Sequence, residues 1–191
     1  MNDIKKGGDF GLGEENTAFA KYFIGKSYLN PLTDPNKTSL FIANVTFEPA
    51  CRNNWHIHHA KSGGGQILIC VDGEGWYQEE GKKAVSLKPG MVITIPANVK
   101  HWHGSKKDSW FSHLAIEVPG EETSNEWCEE VTDEEYENIS NSVFSINVGK
   151  SDGKPYLIRS WEKYNKMSAE EKAEVDELRK KLYEKFGVDE E

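Results

Sequence analysis

The chain has six histidines among 191 residues, and all of them lie between His56 and His113. Histidine is the commonest metal ligand and the usual proton carrier near neutral pH, so this concentration points to a single site. His56 and His58 are two apart, as are His101 and His103. Residues i and i+2 of a strand project from the same face, so each pair would enter one space if its segment is extended. His113, Ala115 and Glu117 repeat the step and add a further imidazole and a carboxylate. An unsatisfied polar group in an apolar interior costs on the order of 1–3 kcal/mol. A lone histidine is usually a hydrogen-bonded core or surface residue, but two His-x-His pairs in one β region favour a metal ion. His59 alternates away from His58 and reads as structural.

The elements that would hold these residues are short. From Ser39 to about Val118, segments rich in β-branched and aromatic residues (LFIANVTF, WHIH, QILICV, GWYQEE, AVSL, VITIP, HWHG, FSHLAIEV) alternate with turn signals such as Asp72-Gly73 and Pro89-Gly90. That pattern predicts an all-β sandwich or small barrel over residues 39–120. Residues 1–38 read as an N-terminal arm with one short strand. Residues 121–191 read as an acidic extension, with an edge strand at Pro155–Ile158. Its clearest element is a C-terminal helix over about 168–186, where Ser168 and Glu171 form a capping box. Val175, Leu178, Leu182 and Phe186 then recur on one face, and Gly187 sits at the C-cap position. The run Ser62-Gly63-Gly64-Gly65 reads as an inserted loop, either flexible at the barrel mouth or simply tolerated.

Composition sets the outer limits. With 37% hydrophobic and 29% charged residues the chain belongs with soluble globular proteins. It has no apolar run of about 20 residues for a membrane span, and its start lacks the apolar block of a secretory signal. Three cysteines imply no disulfide framework and a cytoplasmic setting. The net charge of −9 comes from the residues after Gly120, which carry −10 against +1 before them and read as a solubilising tail. No basic patch is available for nucleic acid.

The histidine spacing resembles the paired motifs of the cupins, a family with a jelly-roll, or double-stranded β-helix, barrel. In the first motif Ala50 stands at a glycine position, His56-Ile57-His58 follow, Gln66 stands where the family has Glu, and Gly73 fits. In the second, Gly90, Pro96 and His101 fit, Asn98 replaces a glycine, and Ser105 replaces an Asn. The resemblance implies metal ligation by His56, His58, Gln66 and His101. Gln in place of Glu leaves that set neutral.

A closer similarity, from about Tyr22 to Tyr136, is to manganese cupins described as hydroxynitrile lyases and to cupins found with carboxymuconolactone decarboxylase-like proteins. The phrases ANVTFEP, WHIH, KHWHG, HLAI and VTDEEY carry it. It implies Ala43 and Val45 in the pocket wall, His113 as a base near the metal, and a homodimer. Glu117 falls where those lyases have Gln. Trp55, Trp102 and Trp110 could shape an apolar pocket or pack in the core.

The function expected is that of a divalent-metal cupin enzyme performing lyase- or isomerase-type proton chemistry on a small organic substrate. Manganese is implied by resemblance, with iron, nickel or zinc as alternatives. His113 or His103 would move the proton, and Glu117 would orient that histidine or act itself. An Fe(II) dioxygenase and a non-catalytic binding or sensing cupin are the other readings.

Overall fold

A computed structural model describes residues 6–34, 36–143, 149–151, 154–156, 168–170, 172, 173 and 177. The chain divides into two compact units, residues 1–132 and 133–191. The first unit is built of strands: β1 (Glu14–Glu15), β2 (Phe23–Ile24), β3 (Ser27–Pro31), β4 (Ile42–Phe47), β5 (Arg52–Asn53), β6 (His56–His59), β7 (Ser62–Gly63) and β8 (Gln66–Gly73). They continue with β9 (Gly75–Glu79), β10 (Val85–Leu87), β11 (Val92–Ile95), β12 (Lys100–Ser105), β13 (Phe111–Glu117), β14 (Gly120–Glu121) and β15 (Ser124–Trp127). One sheet runs β1-β3-β4-β13-β8-β11. The other runs β10-β9-β12-β5-β2, with β6 paired to both β12 and β15. Two antiparallel sheets wound in this way form a jelly roll.

Alternation along the strands decides what faces inward. In β8, Gln66, Leu68 and Cys70 are buried while Ile67, Ile69 and Val71 are only partly so. Phe47, Leu68, Leu87, Ile95 and Phe111 are fully or almost fully buried and form the apolar part of the interior. Each such side chain contributes about 1.5–3 kcal/mol on leaving water. The polar part is set by register. His101 lies opposite His56 across β12 and β6, and Glu117 lies opposite Gln66 across β13 and β8. A register shift between Ser112 and His113 brings His113 opposite Cys70.

The two replaced motif glycines keep a glycine-like backbone: φ is +63° at Ala50 and +65° at Asn98. Asn visits this region more readily than Ala does.

Three segments differ from the reading of the sequence. The arm holds three strands rather than one, and they join both sheets. The barrel runs on past residue 120, because β15 pairs with β6. The glycine run is a paired ribbon rather than a free loop: β7 pairs with β14, and Gly64 N donates to Pro119 O at 3.0 Å. Gly65 has φ +89°, and a Cβ there would lie 2.2 Å from Ile95 O.

In the second unit, α1 (Asp133–Val143) carries Asp133, Glu134 and Glu135 in its first turn, where negative charge suits the helix dipole. Two further strands, β16 (Gly149–Ser151) and β17 (Lys154–Tyr156), pair antiparallel, so Pro155 and Tyr156 of the segment read as an edge strand pair locally, and Leu157 and Ile158 lie outside the described residues. The helix read over 168–186 lies for the most part outside the described residues. Among the described residues no helix is long and apolar enough to cross a membrane.

Candidate metal centre

Strands β6 and β12 lie side by side and aim His56, His58, His101 and His103 into the barrel, while His59 turns outward to Glu126 and Asn98. The rings of His56 and His101 are 4.2 Å apart between centroids, those of His56 and His58 are 5.2 Å apart, and those of His58 and His101 are 5.5 Å apart. The three rings thus enter one space inside the barrel.

The other nitrogen of each ring fixes which end is free. His56 Nδ1–H donates to Asn54 O at 2.9 Å, and His101 Nδ1–H donates to Val99 O at 2.9 Å. His58 Nδ1 lies 2.9 Å from Asn125 Oδ1 and 3.1 Å from Glu117 Oε2. With the proton held on Nδ1, the Nε2 lone pair of each ring is left over for a metal. His58 Nε2, His101 Nε2 and Gln66 Oε1 are buried and have no hydrogen-bond partner. Buried acceptors are normally satisfied, so three orphans among these four residues fit a bound cation. His56, His58, Gln66 and His101 therefore offer a donor set for a divalent ion.

His103 competes for a place in that set, since ring nitrogens of His56, His101 and His103 all lie within 4.8 Å of one another. Its own nitrogens are engaged, however. His113 Nε2 lies 3.2 Å from His103 Nδ1, and the Asn53 side-chain amide is 3.1 Å from His103 Nε2. His56, His58 and His101, each with Nδ1 already hydrogen-bonded, are the candidate ligands, and His103 lies beside them.

Burial disfavours the charged form of His56, His101, His103 and His113. It pushes His56 and His103 well below the usual imidazole range, helped by the neighbouring histidines. It lowers His101 and His113 to about 4. For Glu117, burial pushes the carboxyl up, but the hydrogen bond and charge of His58, with the Gln66 amide, outweigh it and leave the group below its ordinary value.

A cavity of about 470 Å³ opens onto the centre. His56, His58, Gln66, His103 and Glu117 face it, together with Ala43 and Val45 of β4. Phe19, Phe23 and Leu29 of the arm, with Phe41 and Trp127, make much of it apolar. His113 is fully buried and is not in this wall; it stands behind His103. Trp102 is absent from the wall as well. It alternates with His101 and His103 on β12, and its Nε1 donates to Gln78 Oε1 at 3.0 Å. Trp55 and Trp110 also lie outside it.

Residues 43–116 match the cupin domain family. A curated relative, (R)-mandelonitrile lyase of Granulicella tundricola, is 38% identical over 118 residues, which cover 61% of this chain and 87% of that protein. The chain is a cupin. The crystal structure of a cupin-like protein from Thermotoga maritima MSB8 shares 39% identity with it. The match has a TM-score of 0.59 and covers 67% of this cupin and 93% of that chain.

Three residues of the site escaped the reading of the sequence. Asn125 lies opposite His58 in the β15–β6 ladder and accepts from it. Trp127, opposite His56 in the same ladder, stacks on Tyr22 at 4.5 Å with only 5° between ring planes. Asn53 accepts the His103 backbone N–H at 2.9 Å. Only Trp127, an aromatic in a polar segment, left any signal in this cupin's sequence.

Proposed function

We propose that this cupin is a metal-dependent lyase that splits a small α-hydroxynitrile into a carbonyl compound and cyanide. The observation that carries the reading is the set of partnerless acceptors on His58, His101 and Gln66, next to a neutral His103 that faces the cavity. A divalent ion in that donor set would supply Lewis-acid polarisation of the substrate hydroxyl. The Asn53 amide gives up His103 Nε2 to the substrate hydroxyl, whose proton His103 takes as the carbon–carbon bond breaks and its electron pair leaves with cyanide. The same imidazolium then protonates the cyanide, which restores the starting state. His113, 3.2 Å behind, positions the His103 ring. The apolar wall from Phe19, Phe23 and Trp127 suits an aryl or alkyl group on the substrate.

The sequence resemblance points to manganese. The three free thiols fit a reducing compartment, and we place the protein in the cytoplasm.

The test is elemental analysis of protein purified without chelator, coupled to benzaldehyde release from (R)-mandelonitrile. About one manganese per chain and enantioselective turnover are expected, both lost in His101→Ala. Protein that stays metal-free after reconstitution overturns the reading. Metal-loaded protein that binds hydroxynitriles without splitting them makes it a binding cupin instead.

A further inference from the structure

Gln66 Nε2 donates to Glu117 Oε1 at 2.8 Å, and the other carboxylate oxygen, Oε2, lies 3.1 Å from His58 Nδ1. One side chain thus reaches two of the four candidate ligands. An amide can turn either its oxygen or its nitrogen toward a cavity, whereas an ionised carboxylate only accepts. By drawing the Gln66 NH₂ to itself, Glu117 leaves the Gln66 oxygen aimed elsewhere, and that oxygen is buried without a partner. His58 follows the same logic. Its Nδ1–H is shared between Glu117 and Asn125 Oδ1, so the lone pair remains on Nε2, which is also buried without a partner. Charge adds a second reason. Three neutral imidazoles and an amide do not compensate a divalent cation, and an uncompensated buried charge is costly.

We propose that Glu117 is a positioning residue that turns Gln66 oxygen-first and His58 Nε2-first toward the cation and supplies, one hydrogen bond away, the negative charge that the ligands lack. The inference rests on the metal-dependent reading above and deepens it.

Cobalt(II) titration of metal-free protein, followed by visible absorption and by competition with a chelator, tests it without any assay of activity. The variants are Glu117→Gln and the exchange Gln66→Glu/Glu117→Gln. The amide introduced by Glu117→Gln must turn an N–H toward Gln66 or His58. Cobalt affinity should therefore fall about 10–100-fold, with an altered spectrum and an unchanged unfolding temperature of the metal-free variant. The exchange moves the carboxylate into the ligand position and should bring affinity back to within about tenfold of the parent.

Equal affinity and an identical spectrum in Glu117→Gln overturn the proposal, whatever happens to its unfolding temperature. A loss that the exchange does not recover overturns it too. Failure of the parent protein to take up cobalt is a separate result, visible in the parent titration alone, and it removes the metal-dependent reading together with this inference.

Discussion

His103 is where the residue-level chemistry is decided. It faces the cavity, with His113 at one ring nitrogen and the Asn53 amide at the other, and we expect its lone pair to pass from that amide to the substrate hydroxyl rather than to the ion. His103→Ala should keep its metal while turnover falls about 10²–10⁴-fold, the usual contribution of a positioned acid–base group. Metal loss in His103→Ala, seen by elemental analysis, would instead place His103 among the ligands. The histidine pairs were legible in the sequence because strand alternation is local, and the structure brings His56, His58 and His101 together as the spacing suggests. Trp102 was open to a pocket reading because its neighbours are histidines, but the same alternation puts it on the opposite face of β12, buried and bonded to Gln78. Asn125 and Glu117 acquire their roles from partners more than fifty residues away, which no local pattern reports.

At the scale of elements, the motif positions Ala50 and Asn98 share a left-handed backbone but not a response to substitution. Ala50 carries the strain of φ +63°. Ala50→Gly should stabilise the protein by up to about 1 kcal/mol, read from denaturant unfolding. Asn98, at φ +65°, holds the end of β6. Its Nδ2 donates to Ala60 O at 2.9 Å, and its Oδ1 accepts the Ala60 N–H at 3.3 Å. Asn98→Gly should therefore destabilise by about 1–2 kcal/mol, since the lost hydrogen bonds outweigh the relieved backbone. The strands of the core were readable from alternation and turn residues. Those of the arm were not: β1 and β2 are two residues long, and they exist because a sheet edge is there to receive them.

For the whole molecule, burying several imidazoles as neutral rings makes the metal-free fold sensitive to acid. His101 and His113 titrate at about 4 in the folded chain, against about 6.5 when unfolded. As pH falls, the unfolded chain binds protons first, so stability that is complete above about 6.5 is lost on the way down to about 4. The unfolding temperature of metal-free protein should be level between about pH 7 and 8 and decline below about 6.5; a flat profile down to pH 4 would mean that these rings are solvated.

The pocket also has an order of construction. Its imidazoles come from the middle of the first unit, while one wall is Trp127, stacked on Tyr22 from the far end of the same unit. A chain made from its N-terminus onward exposes His56, His58 and His101 before Trp127 has emerged. Closing that aromatic pair means joining segments about a hundred residues apart, a slow contact to form. For the metal-dependent lyase proposed above, the open half-built barrel is thus the stage at which an ion would enter most easily, and the metal available during synthesis would bear on which one is bound.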